Sequence, residues 1–352
     1  MIDTAKAQRQ HYLPATFLAG FSLEEAGPRR KRPIVVGDKL EQKCFVQRAE
    51  NVGWMRNLYS DDIDRTWSDI EAKLAPALDE LVGGSIDALT WVGTLVPFAA
   101  SVLVRAPEFD RRMEKRIEQI LGDQADGTEF NTGAARSLEM QRILAPIMAA
   151  HWIVSSVAGE GELITNDAGF VGFQAPEVGA RGIAIPLGRH HVLQLVPSDS
   201  RGIAVARGGL WYPLITYNKL RAGNHTDLNE TATKGADRFV YGSNRQDVGR
   251  FLSTYPFSGG QSPEPGLFGF VGKELARRNE FSWHWLVSIL SKPVDDRDVW
   301  VSGIDWKAVA SQWKCIVVFP LNQQMGFPGL TRVGDTIFID LQAATSGAEE
   351  NR

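Results

Sequence analysis

Cysteine is scarce in this sequence, which has only Cys44 and Cys315 among its 352 residues. Because the two are far apart and show no metal-ligand spacing, the sequence argues against a disulfide framework and against a zinc ribbon. The first residues also lack the charged-then-apolar order of a secretory signal. Together these absences predict a protein of the reducing cytoplasm.

Common catalytic signatures are missing as well. The chain has no glycine-rich phosphate loop, no nucleophile elbow, no dinucleotide fingerprint and no His-Glu-x-x-His zinc motif. No cofactor is therefore predicted. The acidic cluster Asp295-Asp296-Arg297-Asp298 could hold a divalent cation weakly, but a solvated turn is the alternative, and nothing else in the sequence supports a cation.

Excess charge of one sign is also absent, since the formal net charge is -4 and the pI is near 5.9. Such a chain has no global field that draws it onto nucleic acid or anionic lipid. The basic run Arg29-Arg30-Lys31-Arg32 could contact phosphates locally, with a solvated loop as the alternative. Nucleic acid is therefore not indicated as a partner, whereas a small or phosphate-containing molecule stays open.

Only one uncharged apolar run approaches the length of a membrane span, and it covers residues 88–104. Gly93 and Pro97 interrupt this run, and three hydroxyl side chains are spread along it. A helix that is apolar on all sides belongs either to a membrane or to a protein core. The interruptions favour a buried core helix, and no transmembrane segment is predicted.

The composition, 43% hydrophobic and 23% charged, is that of an ordinary globular protein. Apolar residues recur at steps of three and four between Asp61 and Leu81, which predicts an amphipathic helix. Further helices are predicted from Pro14 and over residues 88–104, 109–121, 137–157, 224–236, 246–252 and 306–313. Short apolar runs between glycines and prolines predict strands at 33–36, 44–46, 163–164, 169–173, 183–187, 192–196, 203–206, 239–241, 281–290, 315–321 and 336–341.

These patterns predict an α+β fold with a helix-rich N-terminal half, a central, largely antiparallel sheet and an additional C-terminal αβ segment. The loop at 256–269 is dense in glycine, proline and serine, which marks a boundary. We therefore predict one domain over residues 1–255, helical at 61–157 and sheet-rich at 160–255. Residues 256–352 form an extension of unknown role.

A series of short landmarks along the chain resembles a known family. It begins with His11-Tyr12-Leu13-Pro14 and Phe17-Leu18 and continues with Arg105-Ala106-Pro107, Leu163-Ile164-Thr165-Asn166-Asp167, Ile185-Pro186-Leu187, Leu228-Asn229 and Arg238-Phe239-Val240-Tyr241. Their order resembles the bacterial and fungal proteins grouped as domain of unknown function 4238, over roughly residues 8 to 250. Leu13 and Ala106 replace the usual Val and Thr, and the turn after Asp167 lacks the family's Asn-Pro. No established activity comes with this family, so the resemblance supplies candidate positions and no chemistry.

Four of these positions are predicted catalytic residues: His11, Asp167, Asn229 and Arg238. An imidazole transfers protons near neutral pH, a carboxylate after a strand can orient it or bind a cation, and a guanidinium suits an anionic substrate. Each has a structural alternative: a hydrogen bond to a neighbouring turn for His11, an Asx-turn at Asn166 or Asp167, a structural amide for Asn229 and an internal salt bridge for Arg238. Tyr12, Asn166 and Arg105 are predicted to help bind the substrate.

Two functions of different classes follow. The first is a hydrolase, with a phosphoester or nucleic acid as substrate, whose cleft gathers the four catalytic candidates. The second is a non-catalytic module that senses a ligand or binds a protein. In that case its Trp-rich C-terminal surface is the binding face, with Trp283, Trp285, Trp300, Trp306 and Trp313.

Overall fold

A computed structural model of the chain describes residues 9–59, 61–86, 90–111, 150–175, 180–196, 205–207, 210–212, 215–221, 223–257, 330–333 and 336–339, and the single positions 136, 140, 143 and 147. This part of the chain contains both α-helices and mostly antiparallel β-sheets. The α+β fold class is therefore confirmed.

Three helices form the N-terminal part of the core. Helix α1 (Ala15–Leu18) continues as a 3-10 turn at Ala19–Phe21, α2 spans Asp61–Gly83, and a π-helical turn at Trp91–Leu95 leads into α3 (Val96–Arg105). Proline at position 14 suits the start of α1 because its φ of -54° is already close to the helical value. Helix α2 follows the predicted period and buries Trp67, Ile70, Leu74, Leu78 and Leu81.

The uncharged apolar run packs inside the protein. All residues of α3 except Pro97 are buried, as the core-helix prediction requires. Trp91 at its start meets Trp152 edge to face, with ring centroids 5.8 Å apart and planes at 73°. Among the helices in the described part of the chain, none is long and apolar enough to cross a membrane.

The larger sheet has five strands in the order β12-β5-β9-β8-β7, namely Ile215–Lys219, His151–Ser156, His191–Val196, Ala180–Pro186 and Val171–Ala175. All neighbouring strands are antiparallel except β12 and β5, which are parallel. Trp152, Val154, Leu193 and Leu195 are buried and bring this sheet against the helices.

A second sheet of four strands joins distant parts of the chain in the order β3-β2-β13-β6, namely Lys43–Arg48, Pro33–Asp38, Phe239–Gly242 and Thr165–Asn166. All three pairings are antiparallel, and Phe239 lies opposite Asp38. Helices α4 (Asn224–Gly235) and α5 (Arg245–Thr254) flank β13 along the chain, and the Asn244 side chain caps α5. This sheet therefore brings the segments around Asp38, Asp167 and Arg238 together.

Three small two-stranded sheets complete the description: β1 (Arg9–His11) with β4 (Trp54–Arg56), β10 (Val205–Arg207) with β11 (Leu210–Tyr212), and β14 (Leu330–Val333) with β15 (Thr336–Ile339). None of β1, β4, β11, β12 and β14 was predicted. The predicted strands at 281–290 and 315–321, the helix at 306–313 and most of the helix at 109–121 lie outside the described residues.

The prediction of a helix over residues 137–157 is wrong at its C-terminal end, because His151–Ser156 is strand β5. The pairing of this segment with β9 on one side and β12 on the other satisfies its backbone groups and overrides the local preference. Leu163-Ile164, predicted as a strand, precede the two-residue strand β6, which begins at Thr165.

Candidate functional site

A cavity of about 310 Å³ lies where the end of α3 meets β4 and the start of β13. Its walls are mainly apolar and include five aromatic residues from separate parts of the chain: Tyr12, Trp54, Phe109, Phe170 and Phe239. Five charged residues also line it: Glu108, Arg111, Asp167, Asp237 and Arg238. The cavity therefore combines a concave shape with groups able to bind a ligand.

Asp167 is the most deeply buried of these charged groups, with 7% of its surface exposed. Its Oδ1 accepts a hydrogen bond from the Asp237 N–H at 2.9 Å, and its Oδ2 accepts from the N–H groups of Arg238 at 2.6 Å and Phe239 at 2.9 Å. Burial raises the pKa of Asp167 to about 6, although the three N–H groups favour its charged form. The carboxyl therefore titrates close to neutral pH.

Arg238 forms a salt bridge, which is the alternative stated for it above. Its Nη2 lies 2.7 Å from Asp38 Oδ2, its Nε lies 3.1 Å from the same oxygen, and Glu41 is 3.8 Å away. The hydrogen bond and the attraction of Asp38 raise the pKa of Arg238. The guanidinium group is thus already neutralised by a carboxylate.

Arg111, which also lines the cavity, is neutralised in the same way. Its Nη2 lies 2.5 Å from Asp237 Oδ2, and its Nε donates to Glu108 Oε2 at 2.8 Å. These two partners raise the pKa of Arg111 against the effect of burial. The Asp237 bridge connects the segment after α3 to the turn that precedes β13.

Tyr12 lines the cavity and pairs with a second buried tyrosine, since its hydroxyl is 3.2 Å from that of Tyr241. Either hydroxyl can donate in this pair. Burial raises the pKa of both phenols, so both are neutral at physiological pH. Tyr12 therefore offers a neutral hydroxyl beside Asp167.

His11 precedes Tyr12 in sequence but is not among the residues that line the cavity. Its Nε2 donates to the carbonyl of Glu50 at 3.2 Å, which is the turn contact given above as its structural alternative. Burial lowers the pKa of the ring, which keeps it neutral. The structure therefore does not place the imidazole with Asp167 and Arg238.

The two candidate amides hold backbone segments together. Asn229 Oδ1 accepts from the Ile164 N–H at 2.9 Å and its Nδ2 donates to the Glu162 carbonyl at 2.8 Å, which joins α4 to the segment before β6. Asn166 Oδ1 accepts from the N–H groups of Ala168 and Gly169, which is the predicted Asx-turn. Neither amide lines the cavity.

Arg105 is buried in the core beside α2, with 1% of its surface exposed. Its Nη2 donates to Glu71 Oε1 at 2.6 Å and also to the carbonyl of His11. The guanidinium carbon lies 5.1 Å from the centre of the Trp67 ring. These contacts make Arg105 an anchor between β1, α2 and α3, away from the cavity lining.

Of the seven candidates, the structure thus brings Tyr12, Asp167 and Arg238 to one cavity. Sequence reasoning missed Glu108, Arg111 and Asp237, which complete its charged lining. The only available signal was their position next to the landmarks at 105–107 and 238–241. Within the described ranges, no group of three or more His, Cys, Asp or Glu side chains is arranged to hold a metal ion.

Comparison with known proteins identifies a family whose function is unknown. No curated protein and no solved structure matches this chain. A family model described as a protein of unknown function, DUF4238, matches residues 9–246, which is more than half of the chain and spans every residue of the cavity lining. The chain therefore belongs to the DUF4238 family of proteins of unknown function.

Proposed function

We propose that this protein binds a small organic molecule in the cavity and acts as a non-catalytic ligand-binding module. The observation that carries the proposal is the cavity itself, with about 310 Å³ of space and a largely apolar wall. Sites for small molecules usually have apolar walls and a few polar groups that fix the orientation of the ligand. At roughly 30 Å³ for each water, the space suits a ligand of about ten non-hydrogen atoms.

The pairing of the arginines supports a binding role over the predicted use of Arg238 to stabilise an anionic substrate. Arg238 contacts Asp38 through two nitrogens, and Arg111 contacts both Glu108 and Asp237. A phosphate would have to compete with these carboxylates for the guanidinium groups. The proposed binding site therefore relies on the apolar wall and on Asp167.

A fragment screen by ligand-observed NMR tests this proposal. Ala168 lines the cavity and is half-buried, so Ala168→Phe fills part of the space. The matched control is Ala72→Phe, at an exposed position of α2. We expect fragments to bind the native protein and the control variant but to lose binding to Ala168→Phe. Fragments that bind all three proteins equally, or no fragment binding at all, would rule the proposal out.

A hydrolase is the second candidate, because Asp167 has a pKa of about 6 and lines the cavity. A carboxyl group that titrates near neutral pH suits general acid or base catalysis. In this form of the hypothesis, Asp167 acts without the ring of His11, which contacts the Glu50 carbonyl. Substrates would be phosphoesters, including nucleic acid, or other esters that fit the cavity.

Chromogenic phosphomonoesters, phosphodiesters and carboxylic esters test the hydrolase candidate. Hydrolysis that is lost in Asp167→Asn and kept in Arg250→Ala, a change at an exposed helical position, would support it. Hydrolysis no faster than in buffer, or equal in both variants, would leave ligand binding as the function. The Trp-rich C-terminal surface predicted for a protein-binding module lies outside the described residues.

A further inference from the structure

We infer that the cavity selects an organic cation, namely a protonated amine attached to an apolar or aromatic body. The inference rests on the proposed ligand binding and adds the charge of the ligand. It depends on three features of the cavity: the balance of charges around it, the aromatic rings in its walls and the hydrogen bonds of Asp167.

The charged residues that line the cavity are negative in sum, with three carboxylates, Glu108, Asp167 and Asp237, against Arg111 and Arg238. Behind this lining, Asp38 and Glu41 pair with Arg238, and Lys43 also pairs with Glu41. The Lys39 ammonium group donates to the carbonyls of Thr233 at 2.8 Å and Ala236 at 3.1 Å. With Asp167 ionised, the lining itself carries one negative charge in excess, which favours a cation and disfavours an anion.

Aromatic rings in the cavity wall provide a second attraction for a cation. The faces of such rings attract ammonium and guanidinium groups. Rings of this site already make such contacts, because the Arg238 guanidinium carbon is 4.7 Å from the centre of Phe239 and that of Arg9 is 3.7 Å from the centre of Trp54. Three further rings, those of Tyr12, Phe109 and Phe170, line the same space.

Asp167 provides the specific acceptor. The carboxylates of Glu108 and Asp237 each contact an arginine side chain. Among the described residues, Asp167 contacts backbone N–H groups and no arginine side chain. An ionised carboxylate accepts about four hydrogen bonds, and in the described structure Oδ1 accepts one and Oδ2 accepts two. Oδ1 therefore keeps acceptor capacity for the N–H of a bound ammonium group.

Calorimetric titration of the full chain with three matched probes tests the inference. Phenethylamine carries a positive charge, phenethyl alcohol is neutral and 3-phenylpropionate is negative, while all three share the same aromatic body. We expect phenethylamine to bind at least about tenfold more tightly than the alcohol, since hydrogen bonds to charged groups contribute more than neutral ones. We expect 3-phenylpropionate to bind weakest.

The outcomes separate this inference from the proposed function. Equal or tighter binding of the alcohol or the carboxylate would overturn the selection of a cation and leave ligand binding in place. Absence of binding for all three probes would overturn both.

Two variants assign the preference to particular groups. Asp167→Asn should reduce the affinity for phenethylamine about tenfold, which is a larger loss than that for the alcohol. Because Asp167 also holds three backbone N–H groups, Phe239→Leu gives an independent test that keeps an apolar side chain and removes the ring. Phe239→Leu should reduce the affinity for phenethylamine about threefold more than that for the alcohol, because only the amine loses a cation–π contact. Phe45→Leu, at an exposed ring on β3, is the matched control, and equal effects of the two Phe variants would contradict the role of the ring.

Discussion

Asp167, Arg105 and Arg136 are among the charged residues that the folded protein holds almost wholly out of water, and each is stabilised differently. Asp167 accepts three backbone N–H groups, and Arg105 contacts Glu71 and the carbonyl of His11. Arg136 is fully buried, lies 2.5 Å from Asp110 Oδ2 and donates to the carbonyl of Val104. Burial of a charge is costly unless such partners are present, so these residues constrain the fold at single positions.

Asp167 should make stability depend on pH. The folded protein keeps the Asp167 proton up to about pH 6, whereas an unfolded chain releases it near pH 3.8. The folded state therefore binds more protons in this window, and its stability falls as the pH rises through it. The difference between the folded and unfolded pKa values corresponds to roughly 3 kcal/mol in the free energy of unfolding.

Urea unfolding of the native protein and Asp167→Asn at pH 4 and pH 7 measures this effect. The variant lacks the titrating group, and other residues contribute equally to both proteins. We expect the native protein to lose about 2 kcal/mol more than the variant between the two pH values, because the unfolded chain is already partly ionised at pH 4. Parallel changes in the two proteins would show that Asp167 does not titrate in this range.

Arg105 should contribute more to stability than an exposed arginine. Arg105→Ala leaves Glu71 and the carbonyl of His11 without their partner, and we expect a loss of about 3 kcal/mol in the free energy of unfolding. The control is Arg250→Ala, which breaks an exposed pair with Asp247 and should cost less than about 1 kcal/mol. Chemical denaturation of both variants makes the comparison, and similar losses would contradict the anchoring role.

The helices and strands differ in how far the sequence predicts them. Helix α2 could be predicted because its buried face repeats at the helical period over Asp61–Gly83. Strand β5 could not be predicted. Trp152 and Val154 are buried on a segment of six residues, which is too short to distinguish the repeat of a strand from that of a helix. Its conformation depends on β9 and β12, which lie about 40 and 60 residues further along the chain.

Glycine substitutions probe the packing of two elements. Gly93 is exposed in the π-helical turn, and an added Cβ would have no neighbour within 4 Å. Gly93→Ala should therefore increase the free energy of unfolding by about 0.5–1 kcal/mol. Gly37 in β2 is the contrasting site, because its Cβ would lie 2.7 Å from Val248 Cγ1 and 2.8 Å from Leu252 Cδ1.

Gly37→Ala should reduce stability by about 1–3 kcal/mol because it overpacks the contact with α5. Thermal denaturation of both variants checks the pair of predictions. A stabilising effect at Gly37, or a destabilising one at Gly93, would contradict the packing described for these elements.

At the scale of the whole molecule, the candidate site could be predicted only in part. The order of the landmarks drew attention to Asp167 and Arg238, and both line the cavity. The ion pairs of the cavity lining were beyond prediction, because Asp38 lies 200 residues from Arg238, and Arg111 lies 126 residues from Asp237. Such pairs are set by the tertiary fold, and no local pattern records them.

The predicted domain boundary near residue 255 can be tested by truncation. A chain that ends after Phe257 retains every element of the family region, through α5 at Arg245–Thr254. We expect it to unfold cooperatively, with a midpoint within about 4 °C of the full chain. A chain that ends after Gly235 lacks β13 and should not show this transition. Calorimetry distinguishes these outcomes, and a non-cooperative transition in the longer fragment would place the boundary elsewhere.

The central position of β13 in the four-stranded sheet also sets the time at which the cavity can form during synthesis. Strand β2 can pair with β3 as soon as both emerge, but its other edge pairs with Phe239–Gly242. A ribosome that adds about 5–20 residues per second takes roughly 10–40 s to translate the 200 residues from Asp38 to Arg238. During that interval the nascent chain carries an unpaired strand edge and no cavity, so a translational pause before residue 239 prolongs the exposure of this edge.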